Sequence, residues 1–230
     1  REYLTTQIDF SFDRRLFITQ YLEIDFNRSW RQRVSINTLD LSSAYFNAVY
    51  YPRHWISAGI TYDARRLVRT WETRSIADSL FDQAPRQGWR ASLTLQPSAL
   101  SRLTLDGGLQ THKGTPNVYS AGISASQANL LRSGVSLSAR LYYFGNALSN
   151  GYYPALDMTR SLFGVAYATI GGGAYIYRTD NGGKTQYNPW ERLRLDLNLT
   201  RRFFFSSTVE NFHGETMNFM RGFFDVGWRL

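Results

Sequence analysis

The chain has 230 residues, with 26 Lys and Arg against 18 Asp and Glu, a formal net charge of +8, and no cysteine. The lack of cysteine excludes disulfides, thiolate metal sites, haem attachment through CxxC and a cysteine nucleophile. Apolar residues make up 43% of the chain but are interspersed with polar ones, so no stretch approaches the ~18 continuous apolar residues of a membrane-spanning helix.

The chain opens on "REYLTTQIDF", without Met and without an apolar signal region. That start reads as a mature or trimmed chain, a single domain over 1–230 and the C-terminal part of a longer precursor. Arginines are scattered rather than gathered in a tract, which suits a solvated or lumen-facing distribution better than a nucleic-acid footprint.

Taken in order, the candidate strands are 3–12, 16–27, 32–41, 44–51, 55–64, 89–96, 102–111, 118–127, 132–143, 158–168, 172–180, 190–200, 203–213 and 219–230. Period-two alternation defines them. In "ERLRLDLNLT" Leu193, Leu195, Leu197 and Leu199 share one face, and Arg192, Arg194, Asp196 and Asn198 share the other. Such alternation is the mark of a strand with one apolar and one polar face. In "RVSINTLDLSSAYF" the apolar phase slips between Ile36 and Leu39, which calls for a bulge or an early turn. The count is therefore about fourteen strands, or twelve if that region is threaded differently.

Length and connection pattern point beyond a soluble sheet. A tilted strand needs about 9–11 residues to cross a bilayer core, and most of these segments reach that length. Short links ("PRH" at 52–54, "PSALS" at 97–101, "RR" at 201–202) alternate with longer ones at 65–88, 144–157 and 181–189. Short turns on one rim and long loops on the other is the pattern of outer-membrane barrels. Trp30, Trp55 and Trp228 would then mark the short-turn rim, and Trp89 and Trp190 the long-loop rim, as two interfacial girdles. The fold expected is an all-β, antiparallel transmembrane β-barrel, closed because an unpaired strand edge is untenable in lipid.

The last residues are "MRGFFDVGWRL". Phe224, Val226, Trp228 and Leu230 alternate with Phe223, Asp225, Gly227 and Arg229. This end resembles the C-terminal strand of Gram-negative outer-membrane β-barrel proteins, with Leu230 where Phe or Trp is usual. The resemblance implies recognition of Phe224, Val226, Trp228 and Leu230 by the barrel-assembly machinery, outer-membrane lipid as surroundings, and periplasmic termini.

Sharper motifs reduce to simpler ones. "TDNGGKT" at 179–185 has Arg178 where a phosphate loop needs its first glycine, and it leads into a strand rather than a helix. Asp-Asn-Gly-Gly is hairpin-turn chemistry, so the segment reads as a surface turn. His54, His112 and His213 have no nucleophile or carboxylate at a characteristic spacing, and no catalytic or metal site is assigned.

The remaining chemistry is a set of charges on the inward faces. Arg90, Asp106, Arg140, Arg192, Arg194, Asp196, Glu210, Arg221 and Asp225, together with Arg160, would line the lumen. A barrel of about fourteen strands is wider than one that side chains alone can plug. The expected function is a porin-like passive channel for small polar or anionic solutes, without a cofactor. The alternatives are a non-conducting barrel that anchors other envelope proteins, and, further off, a barrel hydrolase using His112 or His213. Nucleic acid is not expected as a partner, because the aromatics fall mostly on the face opposite the arginines.

Overall fold

A computed structural model describes residues 2–26, 39–65, 86–112, 114–179, 183–198, 200 and 202–228. These residues form thirteen antiparallel strands: β1 (Glu2–Phe12), β2 (Leu16–Phe26), β3 (Leu39–Arg53), β4 (Ile56–Arg65), β5 (Arg86–Ser98), β6 (Ser101–His112), β7 (Thr115–Leu130), β8 (Val135–Gly145), β9 (Ser149–Leu162), β10 (Ala166–Thr179), β11 (Gln186–Asn198), β12 (Phe203–His213) and β13 (Asn218–Trp228). All belong to one sheet in which each strand neighbours the next in sequence. The all-β, antiparallel expectation holds. Among the described residues the strand count is thirteen.

Two expected boundaries change, and only the first alters the count. β3 takes in all of the expected strand 44–51 and the end of 32–41, of which residues 32–38 lie outside the described residues. The slip expected between Ile36 and Leu39 falls largely outside the described residues, and a bulge stands further along β3. Glu23 pairs with Ser43 but Ile24 pairs with Leu41, leaving Ser42 as the extra residue. Its hydroxyl donates to the Glu23 carbonyl (3.0 Å) and to Glu23 Oε1 (3.2 Å), which satisfies the displaced position.

The second correction concerns 144–168. The segment expected as a long loop is β9, and the expected strand 158–168 straddles a turn at 163–165. Phe163 (φ 54°) and Gly164 (φ 70°) make that turn, a left-handed pair that favours glycine at the second position. β9 carries Pro154, and its ladder to β10 lapses there, resuming at Tyr152 opposite Ile176. Proline has no N–H to give to a neighbour. With β9 in place, links after odd-numbered strands span 13–15, 54–55, 99–100, 131–134, 163–165 and 199–202. Links after even-numbered strands span 27–38, 66–85, 113–114, 146–148, 180–185 and 214–217.

By internal contacts the chain falls into two units, Arg1–Leu93 with Asp106–Tyr119, and Thr94–Leu105 with Ser120–Leu230. In the first, polar side chains bond along one face of β1–β4. Asp9 accepts from Gln7 Nε2 (2.7 Å) and the Thr19 hydroxyl (2.9 Å), and the Thr61 hydroxyl donates to Asn47 (3.0 Å). Buried residues there are Asp25, Ser42, Ala44 and Ala64. The second unit has one core cluster, Ala155, Trp190 and Phe212, with Tyr153, Tyr175 and Met217 packed against it.

Both units leave many large apolar side chains exposed. In the second unit register aligns Leu137, Met158, Ile170, Leu193 and Val209 as one row across β8–β12. Ile170 is 59% exposed and Leu193 55%. A globular protein buries such residues, so a contiguous apolar face of this kind calls for another apolar phase or surface.

Candidate functional site

The face opposite that apolar row carries the charged residues. Arg140 on β8 pairs in register with Ala155, and Asp157 on β9 stands opposite Gly171 of β10 and Ser138 of β8. Gly171 stands opposite Arg192 of β11, Arg192 opposite Glu210 of β12, and Glu210 opposite Arg221 of β13. One row therefore runs Asp157, Gly171, Arg192, Glu210, Arg221, with charges alternating in sign. The next row but one holds Asp196, Ser206 and Asp225.

The glycine decides how the first row pairs. A Cβ at Gly171 would overlap Asp157 Oδ1, so the carboxylate lies across the bare backbone of β10. From there it reaches Arg192 two strands away, accepting from Nη2 at 2.6 Å with both side chains mostly buried. The same strand is bare again at Gly173, over which the Trp190 indole lies (3.0 Å from a Cβ placed there). Arg221 donates to Glu210 Oε2 at 2.6 Å, and Arg194 to Asp196 at 2.8 Å while the Ser206 hydroxyl donates to the same carboxylate at 2.6 Å.

Aromatic rings share this face. Arg192 sits over Trp190 (5.6 Å), Arg140 over Tyr153 (5.2 Å), and Arg221 over both Phe212 (5.2 Å) and Phe223 (5.3 Å). Tyr153 stacks on Trp190 and Phe212 on Phe219. These rings are exceptions to the expectation that aromatics lie mostly opposite the arginines, and Trp190, 4% exposed, is a core residue rather than a girdle residue. Alternation over "NPWERLR" puts Trp190 in phase with Arg192 and Arg194.

At the 214–217 link Asn188, fully buried, accepts from the Thr216 amide and hydroxyl (3.0 Å each) and the Met217 amide (3.2 Å). Four side-chain atoms at alternate positions of β11 have no protein partner among the described residues: Gln186 Oε1, Asn188 Nδ2, Trp190 Nε1 and Arg192 Nε.

Of the residues singled out from the sequence, Arg140, Arg192, Arg194, Asp196, Glu210, Arg221 and Asp225 fall on this one face. Arg140 bonds the Tyr153 hydroxyl (3.2 Å) instead of a carboxylate. Arg90 and Asp106 belong to the other unit. Arg160 lies instead on the apolar face, opposite Ala168 and Val135 and in phase with Met158 and Leu162. Phe224, Val226 and Trp228 lie exposed on the apolar side, and Leu230 is outside the described residues. Sequence reasoning missed Asp157, hidden in the supposed loop, and Asn188. The run "GGGAY" was a legible signal, since glycines inside a strand mark close approach by a neighbour.

His213 lies on the apolar side at the end of β12, with Nε2 3.4 Å from Glu191 and Nδ1 3.0 Å from Asn211 Nδ2. Among the described residues no group of three or more His, Cys, Asp or Glu is placed to hold a metal ion. No known family model and no curated protein matches this sequence.

Proposed function

We propose that the chain is a β-barrel of the bacterial outer membrane acting as a porin-like passive channel for small polar or anionic solutes. The observation that carries this reading is the two-faced sheet. Rows of exposed aliphatic and aromatic side chains back directly onto a face of ion pairs and unneutralised arginine. Lipid is the phase that suits the first face, and water the phase that suits the second. In lipid the sheet must close on itself, because unpaired strand edges cost several kcal/mol per group.

On this reading the links after odd-numbered strands are the periplasmic turns. The end of β13 then lies in the periplasm, as the resemblance of the C-terminal strand implies. Arginine without a carboxylate partner biases such a lumen toward anions.

A second reading is a non-conducting barrel that anchors other envelope proteins. The ion pairs and stacked rings of β9–β13 favour it, since they fill and neutralise part of the polar face. Single-channel recording in a planar bilayer under a salt gradient separates the two. Discrete steps with a reversal potential on the anion side are expected. Silence from a protein that has inserted removes the channel reading and leaves the anchor.

A further inference from the structure

The polar face of the second unit holds a further concave site, between the 99–100 and 131–134 links. It is a cavity of about 270 Å³ whose lining includes Gln96, Arg102, Ser126, Ser136, Ser138 and Thr159. Ser136 pairs with Thr159 and Ser138 with Asp157, which puts these residues on the same face as Arg140, two positions further along β8.

The lining is unusual in its charge. Arg102 is its charged residue, and no Asp or Glu belongs to it. Among the described residues Arg102 has neither an ion pair nor a side-chain hydrogen bond, and the hydroxyls of Ser126, Ser136 and Ser138 have no protein partner. The other hydroxyls are taken: Thr159 bonds Thr169 (2.9 Å), and Ser101 donates to Gln127. Elsewhere in this unit Arg192, Arg194 and Arg221 each face a carboxylate.

We infer that this pocket binds a small oxyanion, phosphate or sulfate, either free or carried on a soluble molecule. A guanidinium presents a planar fork of donors to two oxygens of such a group, and serine hydroxyls can donate to the others. No carboxylate belongs to the lining, and Asp157, which stands opposite Ser138, is held by Arg192, so the pocket favours an anion over a cation. The volume lies at or below the lower end of the ~300–1,000 Å³ typical of pockets for larger organic ligands, which suits an ion or a small phosphate ester. No aromatic side chain lines it, so it lacks the flat apolar platform on which a neutral sugar ring would stack.

That this face meets a lumen rests on the channel reading; the binding does not. The test is calorimetric titration of the full, detergent-purified chain with inorganic phosphate at constant ionic strength. Saturable binding is expected, weakened about tenfold or more in Arg102→Gln, where a charge-assisted pair is lost, and less in Arg102→Lys. Arg132→Gln, which removes the same charge from a turn outside the lining, should stay within about twofold of the parent because that guanidinium acts only through screening solvent. Ser136→Ala with Ser138→Ala provides a second, charge-neutral loss. Competition by glycerol 3-phosphate assigns a solute-borne group, and its failure assigns the free ion; both support the site. Absence of saturable binding, or equal losses in the Arg102 and Arg132 variants, overturns it. Binding without conductance would keep the site and remove the channel, and conductance without binding would do the reverse.

Discussion

Gly171 lets a carboxylate cross a strand. Because β10 has no side chain there, Asp157 reaches Arg192 two strands away at 2.6 Å. A methyl group at that position would occupy the space of the carboxylate, and overpacking of this kind costs about 1–3 kcal/mol. Gly171→Ala should therefore lower stability in urea titrations of the detergent-solubilised protein by that amount. Combined with Asp157→Ala it should cost clearly less than the sum of the two, because the clash and the ion pair share one group. Additive losses would show that the carboxylate does not lie over the glycine. Asn188 acts at the other end of β11, holding the 214–217 link through three hydrogen bonds to one oxygen. Asn188→Ala should speed hydrogen exchange at the Thr216 and Met217 amides, consistent with about 1 kcal/mol per lost bond, and leave amides in mid-β12 unchanged. Asp157 escaped sequence reading because its strand carries "NGYYPALDM", where Gly, Pro and paired tyrosines obscure the alternation.

At the scale of the strand, β11 is the most legible element. Its leucines and its charged residues separate by parity alone, and the pairing register keeps Leu193, Leu195 and Leu197 opposite the small or apolar residues Ile170, Ala168 and Ala166 of β10. Leu193 stands in the middle of the exposed apolar row. If that row meets lipid, Leu193→Arg near mid-depth should destabilise the folded protein by about 2–4 kcal/mol. The measurement is equilibrium unfolding in lipid vesicles. On a sheet face wetted by water the same change would be close to neutral, within about 0.5 kcal/mol, so a null result sinks the membrane assignment without touching the fold. The boundaries that sequence reading misplaced share one cause. Positive-φ turns such as Phe163–Gly164 sit inside runs that look continuous, so one expected strand spanned the ends of two.

At the scale of the whole molecule the question is what covers the apolar face. The channel reading expects the purified chain to require detergent or lipid to stay in solution, and to give discrete, anion-preferring conductance once inserted. Persistence as a monodisperse species in detergent-free buffer would exclude it, because so much exposed apolar surface drives association in water. Parity alone determined that the described segments are strands and that most of them have one largely apolar and one largely polar face. Those properties follow from the two-residue repeat of an extended backbone. Which arginine meets which carboxylate depended instead on register, and register is set by a bulge at Ser42, a turn at 163–165 and a bare backbone at Gly171. Each joins residues distant along the chain, so only the paired strands bring the Asp157–Arg192 contact and the Arg102 pocket into being.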